Sequence, residues 1–171
     1  MGVNSHAEGS GTQATGTQSH AEGVSTRATG AISHAEGSGT IASGVNSHTE
    51  GGGTIASGES SHAEGNGTTA SGDYSHAEGS NTTASGQYSH VEGRHTIAAG
   101  VSQHVQGKFN VQDSNNKYAF IIGNGTSNVN RHNAFAVDWD GKVYVNGAAN
   151  GVDVSKGAGK NVTGTEYTID G

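Results

Sequence analysis

Along the first 112 residues, small apolar and polar positions alternate with a period of two inside short segments, and these segments recur in register. In the opening unit Ser5 and Ala7 fall on one side and His6 and Glu8 on the other. In the next segment Thr12 and Ala14 share a side, with Gln13 and Thr15 opposite. A period of two is that of a β-strand, whose successive side chains point to opposite faces. Glycine follows every seventh residue from Gly2 to Gly107, sixteen times without a gap. Histidine follows every fourteenth: His6, His20, His34, His48, His62, His76, His90 and His104. The unit is therefore fourteen residues in two unlike halves, SHAEG and TxASG, each followed by two variable residues.

A heptad spacing also suits a coiled coil, but its fixed position here is glycine, the weakest ordinary helix former, and leucine is missing altogether. The pattern predicts instead an all-β, parallel β-roll with fourteen residues per turn and two short strands per turn. Glycine suits the corners because it takes positive φ without steric cost. The nearly unvarying small residues point inward: Ala7, Ala21, Ala35, Ala63 and Ala77 from one strand, Ala14, Ala28, Ala42, Ala56, Ala70, Ala84 and Ala98 from the other, with Thr12, Thr26, Thr40, Thr54, Thr68, Thr82 and Thr96. Eight turns stacked at about 4.8 Å give a rod of roughly 38 Å. A lumen this thin buries little apolar surface, which points to partners.

Composition supports a repeat architecture over an ordinary globule. Glycine reaches 30 residues, apolar residues only 30%, and there are three Phe, one Trp and one Met. A net charge of −7 with eight Lys and Arg leaves no basic stripe for nucleic acid. No apolar run is long enough for a membrane-spanning helix, so no membrane insertion is expected. The start, MGVNSHAEG, closely copies SGVNSHTEG at 43–51, so the repeat begins almost at once and no signal peptide is expected in it. It reads as a cut from a longer array, or an array with a bare start.

The SHAEGxxTxASGxx unit resembles the head repeat of trimeric autotransporter adhesins (YadA-like heads), whose usual unit carries SVAIG followed by SxAxG. Unit length, glycine spacing and inward alanine all match over residues 1–112. The resemblance implies a left-handed roll assembled as a homotrimer. The family's outward Val and Ile, which pack between chains, are His and Glu here. If that register carries over, the trimer interface holds a ladder of His6/Glu8, His20/Glu22, His34/Glu36, His48/Glu50, His62/Glu64, His76/Glu78 and His90/Glu92, ending at His104 with Gln106 in place of Glu. Unpaired charges there are costly, and imidazole-to-carboxylate hydrogen bonds between chains relieve that cost. Carboxylate neighbours are then expected to raise the histidine pKa values, so that stability fades as pH climbs. A competing reading makes His and Glu, two apart on one strand face, ligands for a metal or anion; His-x-Glu alone is weak evidence, and no metal or cofactor is assigned.

Other chemistry is excluded on pattern. The regular threonines share parity with the lumen alanines and so cannot form an ice-binding lattice, while the outward Gln13, Arg27, Ile41, Ile55, Thr69, Thr83 and Ile97 are unmatched. A group repeated eight times with no singular pocket is not a catalytic centre, so no enzyme activity is expected. Among the variable turn residues, Tyr74 and Tyr88 are candidates for surface binding to a sugar.

The repeat decays at HVQGKFNVQD, where Gln103, Val105 and Phe109 bring larger groups that plug the end of the roll. A small β-hairpin domain is expected over 113–148, from KYAFIIG, AFAVD and KVYVNG, to lock or cap the trimer; residues 149–171 read as a Gly/Asn/Thr-rich linker or the start of a further domain, with TEYTIDG as a strand. The stretch from HVQGKFNV to NAFAVDWDGKVYVNG is similar to segments in tail-fibre and minor structural proteins of phages and prophages of Gram-positive bacteria. The two resemblances imply an extracellular structural and binding fibre, on a virion tail or a bacterial surface, whose partner is a host glycan or protein receptor. The alternative is the non-catalytic stalk of a polysaccharide-degrading tailspike.

Overall fold

A computed structural model describes residues 1–145 and the strand Val152–Asp153. The alternation folds as the period requires, into a β-solenoid of about eight turns built from two parallel sheets. One sheet stacks the histidine segments, from His6–Ser10 through His104–Lys108; the other has seven strands, from Gln13–Ala14 to Ile97–Ala98. Each turn lies in strict register on the next: His20 opposite His34, Glu22 opposite Glu36, Ala28 opposite Ala42. No helix is present among the described residues, so none there is long and apolar enough to cross a membrane.

The lumen is as thin as the sequence predicts. Alanine methyls from both sheets are fully buried from Ala21 to Ala98, and Thr26, Thr40, Thr54, Thr68, Thr82 and Thr96 are buried with them. Most buried hydroxyls are satisfied locally, while those of Thr26, Thr49 and Thr68 have no hydrogen-bond partner among the described residues. Each internal SHAEG serine donates to the carbonyl of the corner glycine three residues back, as Ser33 does to Gly30 at 2.7 Å. Thr40, Thr54, Thr82 and Thr96 donate to the carbonyl of the preceding glutamate at 2.8–3.2 Å.

The strands are shorter than five residues in most turns, with only two paired residues in every threonine segment. The corners also differ from the expectation that glycine is there for positive φ. Gly23 does take φ 108°, but Gly30 does not; a Cβ on Gly30 would meet the carbonyl oxygen of Gly44 at 2.0 Å. The regular glycines of both halves are therefore required by the close stacking of one turn's backbone on the next, and in the SHAEG half positive φ is a second reason. The left-handed corner conformations fall largely on the variable residues, including Gln18 (φ 58°), Asn46 (φ 57°) and even the β-branched Ile32 (φ 58°).

At its C-terminal end the histidine sheet continues. Tyr118–Asn124 pairs in parallel with His104–Lys108, placing Phe120 over His104. The chain then reverses, with Asn133–Asp138 antiparallel to Tyr118–Asn124, Val143–Val145 antiparallel to Asn133–Asp138, and Val152–Asp153 at the edge. Gln103, Val105 and Phe109 are buried at this end, together with Asn110 and Ile121. The end of the coil is closed chiefly by side-chain amides. Gln103 Oε1 accepts from the Ala99 and Gly100 amides, and its Nε2 donates to Asp113 and to the Tyr118 carbonyl. The expected linker and TEYTIDG strand within 149–171 lie outside the described residues, Val152–Asp153 apart.

Candidate functional site: an imidazole and carboxylate ladder

Parallel pairing without any register shift puts each histidine from His20 to His104 at the repeat position directly above the one fourteen residues earlier, on the outer face of the coil. From His20 to His90 the rings stack face to face with centroids 4.7–4.9 Å apart and planes within 9°. The column ends against His6 on one side and Phe120 on the other, both edge-on. The spacing is that of the strands themselves, so the stack is a direct copy of the backbone repeat.

The glutamates form a second column beside it. The two columns approach without closing. In the first turns the nearer carboxylate is that of the same strand, as for His34 Nε2 and Glu36 at 3.9 Å. Farther on, the expected grouping of His62 with Glu64, His76 with Glu78 and His90 with Glu92 gives way to contacts between turns. Glu64 approaches His76 at 3.4 Å, Glu78 approaches His90 at 3.6 Å, and Glu92 approaches His104 at 3.6 Å. Strand stacking at about 4.8 Å brings the next turn's imidazole as close to a carboxylate as the imidazole two residues before it. Glu92 thus supplies the last histidine, whose own turn carries Gln106.

A hydrogen bond forms only between the exposed His6 and Glu8, at 3.5 Å. The Nε2 atoms of His20, His34, His48, His62, His76, His90 and His104 are shielded from solvent and have no hydrogen-bond partner among the described residues, although the side chains of His20, His34, His76, His90 and His104 remain 35–41% exposed. The structure brings all the ladder residues, from His6 and Glu8 to Glu92 and His104, onto one face, half-exposed in the single chain.

Within the single chain, the centre of the column runs opposite to the rise expected for pairing between chains. His34, His48 and His62 are held below the ordinary imidazole value, first by burial and then by the neighbouring stacked imidazoles; the carboxylates pull the other way and lose. Adjacent rings cannot both be protonated without setting like charges at stacking distance. Glu36 is pushed above the usual carboxylate range, first by hydrogen bonding with Glu22 and Glu50, then by burial and their charge.

A groove runs along the glutamate edge, lined by Glu8, Glu22, Glu36 and Glu50 and the glycines that follow them. On the variable corner, Tyr74 and Tyr88 stack with ring centroids 5.2 Å apart and planes at 10°, both about half exposed. Sequence reasoning missed the polar network that closes the coil. Arg131 donates to the carbonyls of His95 and Asn110, and Asn133 accepts from the Val111 amide. These residues lie past the repeat, where no periodicity marks them. Neither the protein-family models nor the curated proteins searched contain a match to this chain.

Proposed function

We propose that the chain is the structural and binding fibre module of a phage tail fibre or a bacterial surface adhesin, extracellular and homotrimeric, with a left-handed roll that spaces or presents receptor-binding surfaces. The observation that carries this reading is the uniform imidazole and carboxylate face. It repeats in strict backbone register along the coil and leaves ring nitrogens without partners among the described residues. A surface that repeats without a singular feature suits packing against copies of itself, not recognition of one small substrate. Each internal turn buries mainly two alanine-sized groups, worth about 0.8 kcal/mol per methyl, so covering that face adds to a lean core.

The likeness of the repeat to adhesin heads, and of residues 104–147 to phage tail proteins, supports the same assembly. In it, the strands after the coil would form a small β-hairpin domain that locks three chains together. Tyr74 and Tyr88 are the proposed receptor contacts, since a pair of exposed stacked phenols offers a flat apolar platform to a sugar ring.

Sedimentation equilibrium of the full chain tests the assembly. The expected mass is three times 17.1 kDa; a folded, monodisperse monomer overturns it. A glycan screen run beside a polysaccharide-degradation assay separates a binding fibre from the stalk of a degrading tailspike.

A further inference from the structure

Each imidazole nitrogen in the middle of the ladder sits between two carboxylates, that of its own turn and that of the turn before. In four consecutive sets the ligand atoms all lie within 4.8 Å of one another: Glu22, His34 and Glu36; Glu36, His48 and Glu50; Glu50, His62 and Glu64; Glu64, His76 and Glu78. The surroundings of the ring nitrogens point to a ligand there. The four Nε2 atoms are sequestered from solvent without a hydrogen-bond partner among the described residues. The nitrogen-to-carboxylate distances at His34 and His76, 3.9 and 3.4 Å, are too long for good hydrogen bonds. The 3.4 Å at His76 is close to the separation of about 3.3 Å between two ligands that each stand ~2.0–2.1 Å from a tetrahedral zinc ion, and the 3.9 Å at His34 is longer than it.

We infer that the ladder is a linear array of divalent transition-metal sites of zinc type, each made of one imidazole nitrogen and two carboxylates from successive turns of the same chain. The donor set selects the metal class: an imidazole in every site disfavours magnesium and calcium, which take oxygen ligands, and suits zinc or cobalt. Three protein ligands leave a fourth position for water or another donor. The half-exposed glutamates have the freedom to close the remaining distance.

The topology also fixes the count. Neighbouring sets share a glutamate, so at most two sets with no common ligand can be filled at once: those of His34 and His62, of His48 and His76, or of His34 and His76. Two dications against four carboxylates are neutral. Filling adjacent turns would place two dications on one shared carboxylate, one strand spacing apart. Occupancy of turns that do not adjoin, two ions per chain, is the result.

The test is a titration of the full chain with cobalt(II), followed by its visible ligand-field absorption and by calorimetry, with far-UV circular dichroism to confirm folding. Two ions per chain are expected, displaced by zinc and not by excess magnesium. Glu50→Gln leaves two disjoint sets (those of His34 and His76) and keeps two ions. The pair Glu22→Gln with Glu78→Gln leaves only sets that share Glu50, and keeps one. The pair Glu36→Gln with Glu64→Gln removes a ligand from every set and keeps none. Equal losses in the two double variants, or displacement by magnesium, would mean diffuse attraction to an acidic face and overturn the inference. Should a variant fold poorly, nitrogen-15 shifts of the imidazoles on adding zinc to the unaltered chain decide the matter: His34, His48, His62 and His76 move and the remote His132 does not, or the inference fails.

Discussion

The side-chain amide of Asn110 pairs with the backbone of Ile97 as a further strand would: Nδ2 donates to the Ile97 carbonyl at 2.9 Å, and Oδ1 accepts from the Ile97 amide at 2.7 Å. Ile97–Ala98 is the last strand of its sheet, and this contact satisfies an edge that would otherwise be bare. Replacing Asn110 by Ala strands a donor and an acceptor in a buried place, at about 1–3 kcal/mol for each group left unmet. Asn110→Asp keeps the acceptor but sets an oxygen against the Ile97 carbonyl, so it is expected to fare no better than Ala. Denaturant midpoints of the two variants check this, and an Asp variant as stable as the parent would contradict it.

The two kinds of corner glycine respond differently to substitution. Gly30→Ala drives a methyl into the Gly44 carbonyl, and is expected to cost about 3 kcal/mol or more because backbone of the next turn must move. At Gly53 (φ 62°) an added Cβ meets nothing within 4 Å, and the equivalent corner fourteen residues on from Gly67 carries Asn81 at φ 54°. Gly53→Asn is therefore expected to change stability by no more than about 0.5 kcal/mol. Thermal melts of the pair separate crowding from backbone preference.

Stability should fall on mild acidification. Because His34, His48 and His62 bind protons less readily folded than unfolded, the stability they confer is fully present above the unfolded imidazole value of about 6.5 and is lost as pH drops through their lower folded values. The melting temperature is expected to hold steady from about pH 8 to about pH 7 and to decline by about pH 5.5. A rise over that interval would mean that carboxylate pairing outweighs burial and stacking.

For the proposed receptor role, Tyr74→Ala and Tyr88→Ala each remove one ring of an exposed stacked pair whose loss leaves the lumen untouched. Aromatic contacts of this kind are worth about 0.5–1.5 kcal/mol, so glycan affinity is expected to drop up to about tenfold with no change in melting temperature. Unchanged affinity in both variants removes the tyrosines from the receptor surface.

Spacing alone made the coil legible. Glycine every seventh residue and histidine every fourteenth gave the turn length, and parity gave the inward Ala21, Ala28 and Thr26 and the outward His20 and Glu22. What spacing cannot carry is the balance between opposed effects at one atom. His48 has carboxylates on both sides, and the sequence shows them as readily as it shows the histidines above and below. Only the stacking distance and the burial of the ring decide that the proton is disfavoured. The partner of Glu92 was hidden likewise, since two residues along the strand and one turn across it are equally near, and only the side chain's lean selects His104. Nor could spacing find Asn110 and Arg131, which act through backbone groups distant in sequence, or Asp113, which accepts from the Gln103 side chain. The left-handed corner residues escaped for a similar reason: Gln18, Ile32 and Tyr74 have nothing in common but their place in the turn.

Every internal turn offers the next the same surface that it receives, from the His20–His34 pairing through His76–His90. Adding or removing whole units of fourteen residues would leave each remaining interface intact, while a change of one residue would rotate alanine out and histidine in. Reach is thus an adjustable quantity, set by how many copies of a short coding segment are strung together, at about 4.8 Å apiece. Recombination between such near-identical segments would lengthen or shorten the rod in steps without any new structure having to be invented.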